Sequence, residues 1–364
     1  MPSTYTIIGL MSGTSLDGAD GAIIRTDGHQ HIEIIDFLSL EYPQPLRNKL
    51  RRCFGQRDAM QDFVQDAAHD MSTFNAELVH ALMARNSTPI DAIGFHGQTI
   101  HHAPDDKLTL QIGDAALLSA QTGLDVIHDF RSADVANGGE GAPLLPLYHR
   151  AIALKESLDL PVTFLNIGGV SNITQINGHG DADMFACDTG PGNALIDDYM
   201  LKATGNKYDT DGITAKSGVA DPACIDRWLS APYFQRPAPK SLDRDAWDIH
   251  EISSMSTADA AATLSAFTVR SIAHHIDATH DVYVCGGGRH NQFIMEELSK
   301  ALQCPVRPIE TLGYDGDAIE AQGFAYLTAR ILQGLPISLP TTTGTKQSTL
   351  SGKILRSTAA SRRA

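Results

Sequence analysis

Three glycine-rich stretches, each directly after a short β-branched run, constrain the fold of this chain more than any other feature. The stretches are Gly9–Asp20, Asn166–Thr174 and Cys285–Asn291, and they follow Tyr5–Ile8, Val162–Leu165 and Val282–Val284. Glycine lets a backbone approach a ligand closely, and the N–H groups of such turns, with nearby hydroxyls, form anion-binding sites. A single stretch of this kind is weak evidence for a ligand site and is more simply explained as a structural turn. Three in one chain indicate a phosphate-bearing ligand.

The predicted secondary structure follows one order twice. Strands are predicted at Tyr5–Leu10, Gly21–Arg25, Ile32–Leu40, Ile90–Phe95, Leu108–Ile112, Val126–Phe130, Val162–Ile167, Ser171–Asn177, Asp183–Cys187 and Val282–Cys285. Helices are predicted at Ala59–Arg85, Asn193–Thr204, Ala258–Thr279, Gln292–Leu302 and Asp317–Gln333. Strands, a glycine turn, more strands and then helices occur twice, which predicts an α/β fold with a duplicated architecture.

Size and charge exclude several classes of protein. A chain of 364 residues favours two domains. Its net charge of -15 and pI of about 5.3 repel nucleic acids and anionic membranes, so we expect neither as a partner.

Five widely separated cysteines without a Cys-x-x-Cys pair favour reduced thiols and a cytoplasmic location. We find neither a signal peptide nor an apolar run long enough to span a membrane.

The first glycine stretch combines hydroxyls with a carboxylate. Ser12, Thr14 and Ser15 precede Asp17. Such a turn can bind the β- and γ-phosphates of a nucleotide, with Asp17 near a metal ion or its waters. The structural alternative is that Asp17-Gly18 is only a tight turn. The chain contains no Gly-x-x-x-x-Gly-Lys-[Ser/Thr] loop and no Gly-x-Ser-x-Gly elbow, so another type of phosphate site is required.

A second acidic candidate lies in the run Asp188-Thr189-Gly190-Pro191-Gly192-Asn193. This run is predicted to follow a strand and to open a helix. A carboxylate in that position can act as a general base or as an outer-sphere contact of a metal ion. Alternatively, it only accepts hydrogen bonds from the N–H groups of the turn.

Other polar groups suit a hydroxyl-rich or acidic ligand. His96–His102 holds three histidines after a predicted strand; we interpret it as a polar loop for a hydroxyl-rich ligand rather than as a zinc site. Arg131 can pair with a substrate carboxylate through two parallel hydrogen bonds, or can form a surface ion pair in a linker. The glycines of Asn137–Leu144 can form a hinge. Glu320 is either a pocket carboxylate or part of a solvated helix face.

Taken together and in this order, the motifs Gly9–Asp20, His96–His102, Asn166–Thr174, Asp188–Asn193 and Cys285–Asn291 resemble those of the anhydro-N-acetylmuramic acid kinase family. The similarity runs from about Thr6 to about Leu335 and leaves out only the basic tail. The family belongs to the acetate and sugar kinase, Hsp70 and actin superfamily. The resemblance therefore implies an α/β, two-domain actin-like ATPase (ribonuclease H-like) fold, with a mixed five-stranded sheet in each domain and a central ATP cleft.

The resemblance also sets the expected organisation of the chain. We expect residues 1–133 and the C-terminal helix 317–335 to form domain I, and residues 134–316 to form domain II. Residues 341–364, rich in Ser, Thr and Gly with five basic and no acidic residues, are predicted to be a disordered tail. The resemblance implies a homodimer in the bacterial cytoplasm that recycles peptidoglycan.

The same resemblance assigns roles to individual residues. It implies ATP contacts at Gly13, Thr14, Ser15, Leu16, Asp17, Gly18, Ala19 and Asp20 (first phosphate loop), at Asn166, Gly168 and Gly169 (second loop), and at Gly286, Gly287 and Gly288 (adenosine turn). Asp188 matches the general base, and sugar contacts are expected at His96, Gln98, Thr99, Arg131 and Glu320. Many superfamily members have Asp where this chain has Asn166. This leaves Asp17 and Asp188 as the acidic groups near Mg²⁺, directly or through water.

The implied reaction consumes ATP and a 1,6-anhydro sugar. Because the sugar has no proton on O6, Asp188 deprotonates water for attack at C1, and O6 accepts the γ-phosphoryl group as the C1–O6 bond breaks. The product is N-acetylmuramic acid 6-phosphate. The alternatives are another sugar or carboxylate kinase of the superfamily, or a nucleotide-driven binding ATPase. The polar motif His96–His102 argues against a binding ATPase.

Overall fold

The structure, a computed structural model, describes residues 3–244, Trp247, 249–276 and 281–358. The strands, in chain order, are β1 Tyr5–Ser12, β2 Gly18–Thr26, β3 Ile32–Glu41, β4 Ala92–Ala103, β5 Leu108–Ile112, β6 Asp125–His128, β7 Val162–Ile167, β8 Val170–Ile176, β9 Met184–Pro191, β10 Asp281–Cys285, β11 Val306–Pro308 and β12 Lys353–Leu355. The helices are α1 Gln44–Arg52, α2 Asp62–Arg85, α3 Ala115–Thr122, α4 Ser132–Ala136, α5 Pro146–Lys155, α6 Ala194–Thr204, α7 Ile213–Lys216, α8 Pro222–Leu229, α9 Pro232–Gln235, α10 Thr257–Ala273, α11 Gln292–Leu302, α12 Ile319–Leu332 and α13 Pro340–Thr343.

Two sheets share one strand order. In the first, β3, β2 and β1 form an antiparallel meander, and β4 and then β6 add in parallel on the other side of β1. In the second, β9, β8 and β7 form the meander, and β10 and β11 add in parallel beside β7. This repeated order confirms the predicted duplication and the α/β, actin-like (ribonuclease H-like) fold class.

The first sheet is larger than the five strands that the resemblance implies. It has seven strands, because β5 pairs antiparallel with the far part of β4, and β12 pairs antiparallel with β6 at the edge. The second sheet has the expected five strands. The extra pairing changes the interpretation of His96–His102. These residues continue β4 and do not form a loop after it, since β5 satisfies their backbone groups.

Glycines let α12 lie very close to the first sheet. A Cβ atom added to Gly9 of β1 would lie 2.0 Å from the carbonyl oxygen of Ala321, and one added to Gly94 of β4 would lie 2.1 Å from Thr328 Oγ1. No side chain fits at either position without moving the helix. Gly9, within the first glycine stretch, therefore serves the packing of α12.

Each unit has its own hydrophobic core. In the first unit α1, α2 and α3 cover the sheet with buried side chains such as Leu50, Met71, Leu78 and Leu118. In the second unit α6, α8, α10 and α11 do so with residues such as Met200, Trp228, Phe267 and Leu298. Amphipathic helices of this kind stabilise a sheet by removing their apolar face from water. Among the described residues, no helix is both long and apolar enough to cross a membrane.

The chain divides into two compact units. The first comprises Met1–Ser157 with Ala318–Ala364, and the second is the continuous stretch Leu158–Asp317. Residues 134–157, expected in domain II, thus belong with the first unit. One reason is the Tyr148 hydroxyl of α5, which donates a 2.7 Å hydrogen bond to Gln322 of α12.

The tail expected to be disordered at 341–364 is ordered as far as it is described. It contains α13 and β12, and its Thr342, Thr343, Thr345 and Thr349 are buried. These hydroxyl side chains have partners within the fold, so a composition typical of disorder is compatible with order here. Residues 359–364 lie outside the described residues, as do 277–279 at the end of the helix predicted at Ala258–Thr279.

Candidate active site

The predicted first phosphate loop is a tight hairpin between β1 and β2. Leu16 N–H donates to Gly13 O at 3.2 Å, and the Leu16 side chain is buried beneath the turn at φ 59°. Arg47 of α1 holds the turn from outside, donating to Ser15 O at 3.3 Å and to Asp17 at 2.7 Å. The sequence did not identify Arg47. The Asp17 side chain is 66% exposed, so it can still meet a ligand.

One glycine of each stretch has room for a Cβ atom at ordinary van der Waals distance from its neighbours. A Cβ atom added to Gly13 would come no closer than 3.6 Å to another atom; the corresponding distances are 3.5 Å at Gly168 and 3.7 Å at Gly287. The backbone is therefore uncrowded at these positions, which is compatible with an anion-binding turn. In contrast, Gly18, Gly286 and Gly288 are crowded, with an added Cβ within 2.3 Å of a neighbouring atom.

The second and third stretches meet in the second unit. Asn166, the last residue but one of β7, pairs with Cys285 of β10, and the Gly168-Gly169 turn is hydrogen-bonded to the start of α6. Asn193 N–H donates to Gly168 O at 2.7 Å, and its side-chain amide donates to Ile167 O at 3.0 Å. These groups, predicted from separate stretches, therefore form one glycine-lined edge of the second sheet.

Arg289 fixes the third turn from behind. Its guanidinium donates to Gly286 O at 3.0 Å and to Glu310 and Asp317 at 2.6 Å each. Despite burial, these two carboxylates raise the pKa of Arg289 above its usual value, so the group stays charged. Sequence reasoning missed Arg289 because its partners lie up to 28 residues away.

Asp188 lies inside β9, not after its end as predicted. It is opposite Asn172 of β8, which in turn pairs with Asn166 of β7. Its N–H donates to Lys240 O at 2.9 Å, and its carbonyl accepts a 2.6 Å hydrogen bond from the Tyr233 hydroxyl. The carboxylate accepts a 2.8 Å hydrogen bond from Leu242 N–H. Asp188 is buried, so these bonds fix the orientation of its carboxylate.

A buried lysine closes the loop that holds Asp188. Lys240 is only 1% exposed, and its ammonium donates to Tyr233 O at 3.0 Å and Arg236 O at 3.2 Å. The ammonium also lies 4.4 Å from the centre of the Tyr233 ring. Burial lowers the pKa of Lys240. The segment 233–242 is thereby folded back on itself with both ends on Asp188.

His96 and Arg131 form a direct pair in the first unit. Arg131 Nε donates to His96 Nε2 at 3.0 Å, and His96 Nδ1 donates to Gly97 O at 2.8 Å. Burial, and then the positive Arg131, lower the pKa of His96 well below its usual value. His96 is therefore neutral at pH 7 with its proton on Nδ1, and it orients the guanidinium.

Gln98 and Thr99 lie further along β4. The Gln98 side chain is fully buried and accepts a 2.6 Å hydrogen bond from Ser12 Oγ, which itself accepts from Tyr42 OH at 2.9 Å. Burial raises the pKa of Tyr42 to about 12. Thr99 Oγ1 accepts from Gln111 at 3.3 Å. Gln98 thus connects the first phosphate hairpin to the histidine-bearing strand.

Glu320 is in the first turn of α12, four residues before Phe324, so the two lie on one face of the helix. The Phe324 ring packs 4.6 Å from the His96 ring, centre to centre. α12 thus contacts His96 through Phe324, one turn after Glu320.

Asp17 in the first unit and Asp188 in the second are carboxylates of the kind that Mg²⁺ binds. Among the described residues, no group of three or more His, Cys, Asp or Glu side chains is arranged to hold a metal. Mg²⁺ in phosphoryl-transfer sites is usually bound by one or two carboxylates with the substrate phosphates, and Asp17 and Asp188 can each supply one carboxylate.

Comparison with known proteins identifies close relatives. A family model for anhydro-N-acetylmuramic acid kinase matches residues 5–357. The match continues past Leu335, so the C-terminal segment is part of the family's fold and not an addition to it.

Individual relatives show the same likeness. The anhydro-N-acetylmuramic acid kinase of Rhodospirillum rubrum is 46% identical over 344 residues, covering 93% of this chain and 90% of that protein. The protein of that name from Acidiphilium cryptum is 46% identical over 364 residues, covering 96% and 98%. Among solved structures, a xylulose kinase from Lactobacillus acidophilus aligns with a TM-score of 0.45 at 11% identity, over 98% of this chain and 95% of that one.

Proposed function

The chain belongs to the anhydro-N-acetylmuramic acid kinase family, and from this premise we propose how its own residues perform the reaction. It is an ATP-dependent kinase that hydrolytically opens 1,6-anhydro-N-acetylmuramic acid and phosphorylates O6, giving N-acetylmuramic acid 6-phosphate and ADP. Membership in this family disfavours another sugar or carboxylate kinase and a non-kinase ATPase.

We assign the general base to Asp188. The anhydro bridge leaves no proton on O6, so the proton to be removed belongs to water. Water attacks C1 and its proton passes to the Asp188 carboxylate, while the C1–O6 bond breaks and O6 bonds to the γ-phosphorus as ADP leaves. The observation that carries this assignment is the buried Asp188 carboxylate, which Leu242 N–H and the backbone bonds of Asp188 hold in one orientation.

We assign the phosphates of ATP to the open glycine turns. Backbone N–H groups around Gly13 and Gly168 would hold the charged oxygens, and Gly287 belongs to the turn expected to meet the nucleoside. Mg²⁺, when bound, offsets phosphate charge, and Asp17 and Asp188 are the residues that would hold it, directly or through water.

We assign the lactyl carboxylate of the sugar to Arg131. An arginine guanidinium matches a carboxylate geometrically, and neutral His96 fixes its plane without competing for the negative charge. Thr99 and Glu320 are further proposed sugar contacts. Gln98, which is fully buried, would act by supporting them.

The origin of the new oxygen tests the mechanism. In ¹⁸O-water, the coupled reaction places the label on the C1 hydroxyl and leaves the phosphate ester unlabelled. Mass spectrometry of the product must be done early, because anomeric hydroxyls exchange slowly with water. Label in free phosphate that scales with product, with none at C1, would show instead that ATP hydrolysis is separate from ring opening.

We also propose that the protein works as a homodimer in the bacterial cytoplasm, in peptidoglycan recycling. All five cysteines are free in the structure, which supports a reducing compartment. Sedimentation equilibrium of the purified protein tests the dimer: the mass of a single chain at micromolar concentration would contradict it.

A further inference from the structure

We propose that Asp134, anchored by the C-terminal segment Ile337–Thr349, is a positioning residue that holds Arg131 in the orientation needed to recognise the carboxylate of the sugar. The inference rests on the proposed function, which gives Arg131 that carboxylate. It assigns a role in substrate specificity to a segment that includes the first part of the tail, 341–364, that the sequence alone predicts to be disordered.

Asp134 is a completely buried carboxylate within α4. Oδ1 accepts hydrogen bonds from Ser338 Oγ and from Thr343 Oγ1, the latter at 2.7 Å. Oδ2 accepts from Gly141 N–H at 2.7 Å. A buried carboxylate is costly unless its lone pairs are satisfied, and here one oxygen binds the C-terminal segment while the other binds the loop after α4.

The loop transmits this anchoring to Arg131. Gly141 donates its N–H to Asp134, and its carbonyl oxygen accepts a 2.7 Å hydrogen bond from Arg131 Nη1. Arg131 Nε donates to His96 Nε2 at 3.0 Å. His96 Nε2 and Gly141 O therefore both orient the guanidinium plane, and the position of Gly141 depends directly on Asp134.

Backbone bonds show that the C-terminal segment lies along the same loop. Glu140 N–H donates to Thr343 O at 2.6 Å, and Ser338 O accepts from Thr349 N–H at 3.0 Å, which closes the segment on itself. The loop packs tightly against the carboxylate, since a Cβ atom added to Gly139 would lie 2.2 Å from Asp134 Oδ2. The loop is wrapped around the carboxylate, so its carbonyl groups have little freedom to shift.

This arrangement predicts a specific loss rather than a general one. If Asp134 is removed, Gly141 N–H loses its acceptor, so the Gly141 carbonyl can shift and Arg131 loses its fixed orientation. A carboxylate-bearing sugar then loses affinity, whereas a sugar without the lactyl group does not. A merely structural role for Asp134 would weaken both sugars alike.

The test compares binding of two sugars by isothermal titration calorimetry. 1,6-Anhydro-N-acetylmuramic acid carries the lactyl carboxylate, and 1,6-anhydro-N-acetylglucosamine does not. For Asp134→Ala we expect the ratio of the two affinities to fall at least about tenfold, the loss of one charged hydrogen bond, with ATP affinity unchanged. Asp134→Asn, whose amide can accept from Gly141 and donate to both hydroxyls, should restore most of the ratio.

Two further variants complete the design. Thr343→Val removes one anchor without changing side-chain volume, and it serves if Asp134→Ala does not fold; we expect it to lower the ratio at least about threefold. Lys353→Ala is the matched control, because it removes a 2.8 Å ion pair with Asp129 from the same C-terminal region without touching Asp134. The ratio should stay at the wild-type value in this variant.

Arg131→Ala distinguishes the role of Arg131 in sugar binding from the role of Asp134 in positioning Arg131. If this variant keeps the wild-type ratio, the proposed role of Arg131 is wrong. Two results would overturn the positioning role of Asp134. In the first, Arg131→Ala lowers the ratio but folded Asp134→Ala and Thr343→Val do not. In the second, Asp134→Ala and Thr343→Val weaken the binding of both sugars equally.

Discussion

Asp188 has both of its main-chain groups and its carboxylate in hydrogen bonds, so a change at its side chain should affect chemistry before it affects folding. Asp188→Asn keeps the shape and an acceptor for Leu242 N–H but cannot take a proton from water. We expect a fall in kcat of at least about a hundredfold, the low end for losing a general base, with both substrates still bound. Steady-state kinetics and calorimetry measure this, and near-normal turnover would remove Asp188 from the base role.

At the scale of elements, two glycines of one stretch should behave in opposite ways. Gly9→Ala forces a Cβ atom to 2.0 Å from the backbone of α12, so we expect a loss of about 1–3 kcal/mol in the free energy of unfolding. Gly13→Ala meets nothing closer than 3.6 Å, so stability should be unchanged while ATP binds more weakly. Urea unfolding and ATP titration of both variants give the comparison. Equal losses of stability would contradict the distinction between packing and binding glycines.

The sequence predicted elements well where local pattern decides them. The strand Val162–Ile167 and the helix Gln292–Leu302 match the structure residue for residue, because a β-branched run and an amphipathic repeat are local signals. It failed for His96–His102, where polar residues typical of a loop are held in a strand by pairing with β5. It also failed at the C-terminus, where Thr343, predicted to lie in a disordered tail, is buried against Asp134, more than 200 residues away.

The same limit applied to the site. The glycines and Asp188 could be proposed as site residues because their motifs are contiguous in sequence. Residues that hold those motifs in place, such as Arg47, Lys240 and Arg289, act through tertiary contacts and leave no local pattern. The roles of the predicted contacts stay predictions until the variants are measured.

For the molecule as a whole, buried histidines should make stability depend on pH. Burial lowers the pKa of His149 to about 3, of His275 to about 4, and of His96 well below its usual value. Below pH 6.5 the unfolded chain binds protons at these positions that the folded chain does not, so stability falls as pH falls towards 5. Each group contributes up to about 1.4 kcal/mol per pH unit.

Urea unfolding at pH 7.5, 6.5 and 5.5 measures this slope. His149→Gln serves as the comparison, since it removes one titrating group and should reduce the slope by about one such contribution. If the free energy of unfolding of the unmodified protein is the same at pH 6.5 and pH 5.5, these histidines are protonated in the folded state.

The discontinuity of the first unit has a consequence during synthesis. The second unit is continuous from Leu158 to Asp317, whereas the first needs α12, whose residues leave the ribosome after that whole stretch. Until then the glycine-bearing face of β1 and β4 has no helix to cover it. The later-encoded unit should therefore acquire protease resistance first, reversing the usual N-to-C order of domain folding. The test is brief protease digestion of nascent chains stalled on the ribosome with residues up to 317 exposed. We expect a protected fragment that begins near Leu158. Protection of the first 157 residues in the same chains would refute this order.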